Sequence, residues 1–563
     1  MLPRTISTSI SQDAITKVTR LFNNTIGDVL AELIQNARRA GASLLELTTS
    51  EHNGRTWLSV TDNGAGIEDP SVLLAFGGSG WDNALMARED PAGMGVFSLA
   101  GRRLEVSSRA PGSKTGWRID IGPDDWESAA PIAVTAIGHP VGTCFRFELE
   151  SPWAFSLDRA AQQAACYAPI EVRLHGVPIP REDWLTGAET IVERDGVRIG
   201  IYRDPRHLHR ASAINFHGVT TSCRLPMIIE RDRQWSAKVD IVDAPQIQLV
   251  LPARKEVVEN SALENLRTAI RIAIYRHIQS LGSHRLSHTS WCDAEALGVH
   301  LPPASPILEP WTPAQADSDS DLDHELSLAG EPILMDHFGP AIEQCAAFAL
   351  AKDPRFAGRL AAADASMAGY HWYDRLTRIS GLRFTFDQDG AVHIFDSETV
   401  DAPESGLVEN LNLLVEISNV PADTITVPAP VAIVFDESWH CCLDDARIIF
   451  PSKEGLSAGD LLRLLEGACF SASSDSDADS WETQNNRFLA DAREIATSLL
   501  EGEDAALIEK TRAILSDHVQ WFVPEGRRLF ASIDRARLDV RFEPPLSDPP
   551  EAVVPNPAED LNP

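Results

Sequence analysis

The sequence predicts an α+β protein of several domains, and three observations predict it. Apolar residues recur at helical spacing over 14–41, strand-like runs broken by hairpin and glycine turns follow, and a Pro-, Ser- and Asp-rich stretch at 284–330 divides the chain. At 563 residues the chain also exceeds what one hydrophobic core normally serves.

Over 14–41, Ile15, Val18, Leu21 and Phe22 lead into Ile26, Val29, Leu30, Leu33 and Ile34 before Gly41 ends the pattern, which predicts two helices or one bent one. Leu44-Leu-Glu-Leu-Thr-Thr and Thr56-Trp-Leu-Ser-Val-Thr then read as strands joined by the turn His52-Asn53-Gly54. Asn-Gly readily takes the positive φ that a two-residue hairpin needs. Strands at 104–108, 116–121 and 143–149 and a short helix at 95–100 complete a first domain, 1–150. A second domain, 151–283, opens with an Ala-rich helix, continues as strands at 171–174, 197–202, 213–219 and 247–251, and closes with a helix over 262–279. Residues 284–330 are expected to be a linker or long exposed loop. A C-terminal α/β domain of unknown fold, 331–543, follows, with strands at 382–386, 392–395 and 431–435 and helices near 461–465, 488–500 and 505–515. Its proline-rich continuation, 544–563, reads as a disordered tail.

Lys and Arg number 49 against 82 Asp and Glu, a net charge of -33 that repels a phosphate backbone, so nucleic acid is a disfavoured partner. Of eight cysteines only Cys441 and Cys442 are adjacent, which excludes a disulfide framework and a paired-Cys zinc pattern and fits a reducing cytoplasm. No run of 18 apolar residues occurs, so neither membrane nor export is expected. His440-Cys441-Cys442 and His371-Trp372-Tyr373-Asp374 hold metal-binding or acid-base groups, but core or interface roles suit them better.

Three elements of the first domain carry chemistry. In Val29-Leu-Ala-Glu32-Leu-Ile-Gln-Asn36-Ala-Arg-Arg-Ala-Gly41, a carboxylate and a carboxamide four residues apart share one helical face. Glu32 suits a base that activates water and Asn36 an oxygen ligand for magnesium, although a solvated polar face would carry the same pair. In Thr61-Asp62-Asn63-Gly64-Ala65-Gly66-Ile67, the glycines let the backbone turn and approach a ligand while Asp62 is placed to accept from an exocyclic amine. An ordinary turn is the alternative. In Pro91-Ala-Gly93-Met94-Gly95-Val96-Phe-Ser98, glycines open a helix whose free amides suit a phosphate, and the preceding 76–83, rich in glycine, offers a hinge or lid or else a mobile surface loop.

In order and spacing these elements, followed by Gly142-Thr143 at a strand start, resemble the GHKL (Bergerat-fold) ATPases: gyrase, the heat-shock ninety-kilodalton chaperones, histidine kinases, MutL and MORC. The resemblance implies a Bergerat-type α/β sandwich that binds ATP and Mg. It implies Glu32 as base, Asn36 as metal ligand, Asp62, Gly64 and Gly66 at adenine, Gly93 and Gly95 at the phosphates, and Thr143 supporting Asp62. Family members usually carry an acidic residue three positions after the metal-binding Asn, where this chain has Arg39. Histidine kinases lack a base at the matching position, so Glu32 favours the hydrolysing branch. In Gln246-Ile-Gln-Leu-Val-Leu-Pro-Ala-Arg254-Lys255-Glu256, the spacing resembles the transducer domain of the chaperone and MutL branch, which implies Lys255, with Arg254 second, as the cation on the terminal phosphate. A solvated loop is the alternative there. The expectation is a cytoplasmic, homodimeric ATPase that remodels a protein partner. The alternatives are a MutL- or MORC-like ATPase acting on DNA and a nucleotide sensor without turnover.

Overall fold

Thr25 starts the first described helix, α1 (Ile26–Arg39): its side chain accepts from the backbone N–H of Asp28, and Asp28 adds negative charge at the helix N-terminus. In the computed structural model the described residues are 25–74, 81, 96–128, 131–205, 214–231, 233–250, 256–317, 328, 330–388, 390–396, 404–418, 423–434, 443 and 446–543. The helical pattern expected over 14–24 and the tail 544–563 lie outside them. The chain divides into two compact units, Met1–Ser305 and Pro306–Pro563.

In the first unit, α1 buries Ile26, Val29, Leu30, Leu33 and Ile34 on one face. Its strands are β1 (Leu44–His52), β2 (Arg55–Asp62), β3 (Leu104–Arg109), β4 (Gly116–Ile121), β5 (Thr135–Ile137) and β6 (Gly142–Glu148). Helix α2 (Ser151–Ala165) follows, then β7 (Glu171–Leu174) and β8 (Val177–Pro178). The sheet order is β5-β4-β3-β6-β2-β1-β7-β8. The hairpin forms as expected, with His52 opposite Arg55 and Asn53 and Gly54 both at positive φ.

Helix α2 and strand β7, expected to open the second domain, complete this first layer instead. β7 lies parallel to β1, with Leu45 opposite Val172, and α2 packs on α1 closely enough that a Cβ on Gly27 would stand 3.9 Å from that of Ala160. Trp153, Leu157, Ala161 and Val172 share one core with Leu30, Leu47 and Phe147. The physical reason is that β1 leaves an edge of unpaired backbone N–H and C=O groups, which β7 pairs, and α1 an apolar face, which α2 covers.

A second sheet in the same unit comprises β9 (Thr190–Arg194), β10 (Val197–Pro205), β11 (Ile214–Phe216), β12 (Val219–Thr221), β13 (Ile228–Glu230) and β14 (Arg233–Ile241). Its order is β12-β11-β14-β10-β9, with β13 also on β14. The expected strand at 247–251 carries, among described residues, only an isolated bridge from Leu249 to Val257. Helix α3 (Ser261–Ser280), capped by the Asn260 side chain on Leu263 N–H, covers the sheet through Leu266, Ile270 and Ile274. Residues 284–305, expected as linker, fold here too: α4 (His288–Ala296) and the buried Leu286, Ala294, Val299 and Leu301 join that core.

The second unit begins before 331. Trp311 N–H donates to Leu360 and Ala316 N–H to Gly467, fixing this extended Pro- and Ser-rich chain against the unit. Strands β15 (Ile333–Met335), β16 (Leu360–Ala362), β17 (Thr377–Gln388), β18 (Ala391–Phe395), β19 (Gly406–Leu407), β20 (Glu409–Ser418), β21 (Asp423–Pro428), β22 (Ala432–Val434) and β23 (Arg447–Phe450) follow. They form a sheet ordered β16-β15-β17-β20-β21, with β18 on β17, and a smaller one ordered β19-β23-β22. The helices α5 (Pro340–Leu350), α6 (Ala458–Cys469) and α7 (Trp481–Glu501) enclose its core through Cys345, Leu461 and Ala492, and α8 (Glu503–His518) and the hairpin β24 (Leu529–Ile533) and β25 (Leu538–Phe542) end it. Of 371–374, Tyr373 is buried as a core residue and its hydroxyl accepts from Asp364 N–H, whereas His371 and Asp374 are exposed; Cys441 and Cys442 lie outside the described residues. No helix among the described residues is long and apolar enough to cross a membrane.

Candidate functional site

Residues of α1, β1, β2, the loop after β2, the turn at 96–97, the segment after β3 and β6 line one cavity of about 700 Å³, within the usual range for a small-molecule site. Glu32, Asn36, Asp62, Gly66, Ile67, Val96 and Thr143, all expected at the site from the sequence, reach it together. Its apolar wall, including Val60, Leu73, Phe97 and Phe145, suits the faces of a flat aromatic ligand.

Strand register builds the polar end. Asp62 on β2 lies opposite Thr143 on β6, and Thr143 lies opposite Ser108 on β3, so three polar residues form one row across the sheet. Ser108 Oγ is 3.0 Å from Thr143 Oγ1, donates to the Gly142 carbonyl at 3.0 Å and accepts from Ile67 N–H at 2.8 Å. Asp62 Oδ1 accepts from Gly64 N–H at 2.8 Å. Burial pushes the Asp62 carboxyl above its ordinary value, opposed by backbone hydrogen bonds from Gly64 and Thr143 and by nearby His139.

The glycine loop fits because side chains are missing from it. Gly66 has φ +67°, and a Cβ there would stand 2.2 Å from the Arg109 carbonyl oxygen. Gly142 has φ +125°, and its Cβ would meet the Asp62 carbonyl oxygen at 2.1 Å. The loop is also tied to α1, since Ala65 N–H donates to the Ala40 carbonyl at 2.8 Å and a Cβ on Gly64 would stand 2.8 Å from Ala40 Cβ. Trp117 Nε1 donates to the Ile67 carbonyl at 2.8 Å, fixing the loop's far end.

On α1, Glu32 and Asn36 face the cavity one turn apart, and Arg39 joins them. Its guanidinium donates to Asn36 Oδ1 at 3.1 Å and stands 3.9 Å from Glu32 Oε1, with 5% of the Arg39 side chain exposed and 18% of that of Glu32. No group of three or more His, Cys, Asp or Glu residues able to hold a metal occurs among the described residues. The donors at hand, one carboxamide oxygen and a carboxylate, fit an ion such as magnesium that takes most of its ligands from phosphates and water.

Two expected site residues build the loop without lining the cavity. Asn63 Oδ1 accepts from the backbone N–H groups of Ser43 and Leu44, and Asn63 Nδ2 donates to Ser43 Oγ, so its side chain braces the start of β1. Gly64 packs against Ala40. Gly93, Met94, Gly95 and Lys255 lie outside the described residues, as does Arg254. Sequence reasoning missed Ser108, which no local pattern marks. It also missed Gln35, a buried residue whose Nε2 donates to the carbonyls of Phe216 at 3.3 Å and His217 at 2.7 Å. Arg39 was visible as a departure from a family pattern, but its entry into the cavity was not.

No family model matches the chain, and no curated protein does. Among solved structures it is similar to the N-terminal domain of a DNA repair protein, at 15% identity over 48% of this chain and 99% of that one, with a TM-score of 0.30. It is also similar to the Aquifex aeolicus MutL ATPase domain complexed with ADP, at 16% identity over 43% of this chain and 85% of that one, with a TM-score of 0.23. A third is the ATPase domain of the Aquifex aeolicus mismatch repair endonuclease MutL, at 16% identity over 43% and 83%, with a TM-score of 0.22. Helix α1, Asp62 and Thr143 of the polar row, and the glycine loop meet at this one cavity.

Proposed function

We propose that this protein binds ATP with magnesium in the cavity beside α1 and hydrolyses it. The observation that carries the reading is the convergence of Glu32, Asn36, Asp62, Gly66 and Thr143, from four separate segments, on one cavity of about 700 Å³. Asp62 accepts from the exocyclic amine of adenine, held in place by the Gly64 and Thr143 amides, while the apolar wall takes the base's faces. Asn36 Oδ1 is the protein ligand of the metal, which when bound neutralises charge on the phosphates. Glu32 orients the attacking water and takes its proton.

Gly93, Met94 and Gly95 are assigned to the phosphate-contacting segment with Val96, and Lys255 to the terminal phosphate. The proposal includes a nucleotide-binding layer reaching to about residue 180, a transducer-like layer to 305 and a C-terminal unit that engages a protein partner. It also includes a homodimer, which sedimentation with and without a non-hydrolysable ATP analogue tests. The net charge of -33 supports a protein partner over nucleic acid. Tight, salt-dependent binding to duplex DNA would instead establish a DNA-acting role.

Single-turnover hydrolysis by Glu32→Ala tests the chemistry. Loss of a positioned base should lower the rate about 100-fold or more while nucleotide binding persists. Equal turnover by variant and parent removes Glu32 as the base, and binding without turnover by the parent itself makes the protein a nucleotide sensor.

A further inference from the structure

We propose that Ser108 is a positioning residue for base selection: it fixes the Thr143 hydroxyl as an acceptor, so that the two hydrogens of the exocyclic amine of adenine are taken together, one by Asp62 and one by Thr143. This inference rests on the ATP reading above and concerns how the same cavity recognises the base.

Proton accounting carries it. Ser108 is fully buried, and its Oγ has one proton to give and two lone pairs to fill. Ile67 N–H donates to it at 2.8 Å, and the Gly142 carbonyl and Thr143 Oγ1 each stand 3.0 Å away. A carbonyl oxygen only accepts, so the serine proton goes to Gly142. Were Ser108 to donate to Thr143 instead, the Ser108 and Gly142 oxygens would face each other at 3.0 Å with no proton between them. The remaining bond therefore has one direction, from Thr143 Oγ1 to Ser108. With its only proton turned towards β3, the Thr143 hydroxyl offers a ligand lone pairs alone.

Strand register sets those lone pairs beside a carboxylate. Asp62 and Thr143 are directly opposed on β2 and β6, so their side chains share one face of the sheet with Cβ atoms about 5 Å apart. Both residues line the cavity. Asp62 Oδ1 accepts from Gly64 N–H, and an ionised carboxylate has no proton to donate. Two neighbouring acceptors match an amine whose two N–H bonds diverge in one plane. Ser108 lies behind them, outside the cavity lining, and acts through Thr143.

A purely structural role has a different consequence. Ser108 also ties the glycine loop through Ile67 N–H, and loosening that loop would weaken every purine nucleotide alike. Losing the fixed acceptor weakens only a nucleotide that carries the amine.

The test is displacement of a fluorescent ATP analogue from the full chain, in magnesium, by ATP and by purine riboside triphosphate, which lacks the amine and is otherwise the same. The ratio of the two affinities reads amine recognition. The expected parent prefers ATP by at least about 30-fold, the weight of one charged and one neutral acceptor. Ser108→Ala lowers that ratio about three- to tenfold and Thr143→Val lowers it by as much. The double variant matches Thr143→Val, because Ser108 then has no hydroxyl to orient. Thermal unfolding without nucleotide checks folding, and should Ser108→Ala unfold below the assay temperature, Ser108→Cys takes its place under the same criteria. An unchanged ratio in Ser108→Ala or in Thr143→Val overturns the inference, as does a further fall when Ser108→Ala is added to Thr143→Val. A smaller ATP preference in the parent overturns it too, and all of these leave nucleotide binding intact. Failure of the parent to bind ATP at all overturns the ATP reading and this inference together.

Discussion

Asp62→Asn separates the fold of the glycine loop from its recognition of adenine. Asparagine keeps an Oδ1 that accepts from Gly64 N–H, 2.8 Å away in the parent, and from the Thr143 amide. It removes a charge whose burial is the largest influence on the Asp62 carboxyl. The variant should therefore fold at least as stably as the parent at pH 7. The sign follows from the raised folded-state value. Below the ordinary value of 3.8 both side chains are neutral and the two stability curves run parallel. As pH rises through the raised Asp62 value, only the parent ionises in a buried site, so its stability falls relative to the variant. Binding should move the other way. An amine held by a carboxylate gains about 1.5–3 kcal/mol from the charged acceptor, so losing that acceptor weakens ATP about 10- to 150-fold. Urea denaturation across pH and titration with a fluorescent ATP analogue in magnesium measure both quantities. ATP bound by the variant as tightly as by the parent, or a stability gap that narrows as pH rises, would refute the reasoning.

Gly66→Ala places a methyl 2.2 Å from the Arg109 carbonyl at φ +67°, and left-handed backbone plus overpacking together cost about 2–5 kcal/mol; an unchanged melting temperature would show that the loop relaxes freely. Gln35→Ala leaves the Phe216 and His217 carbonyls without the amide that reaches them from α1. It should cost about 1–3 kcal/mol and speed amide exchange over 214–221, and unaltered exchange there would remove Gln35 as the tether between α1 and the β11–β12 turn.

Much of the site was legible because its parts are local. The Glu32 and Asn36 pair shares a face at helical spacing, and Asp62-Asn63-Gly64-Ala65-Gly66 announces a tight turn after a strand. Asn63 shows the limit of such reading: its place in the motif suggested the ligand, yet its amide braces Ser43 and Leu44. Ser108 carried no signal, since a serine at a strand end gains its role only when pairing sets it beside Thr143. Composition also misled at 284–305, where Ser, His and Pro suggested a linker while Leu286, Val299 and Leu301 supply anchors for a core.

From the sequence alone came helix α1, the Asn53-Gly54 hairpin and the glycine turn after β2, because caps, apolar periods and positive-φ residues act over a few neighbours. Tertiary structure decided that β7 lies parallel to β1, that Asp62, Thr143 and Ser108 share a row, and that Arg39 lines the cavity with its guanidinium on Asn36. These depend on which distant segments bury one another's apolar surface, and on where a long side chain finds its hydrogen-bond acceptor once that surface is closed.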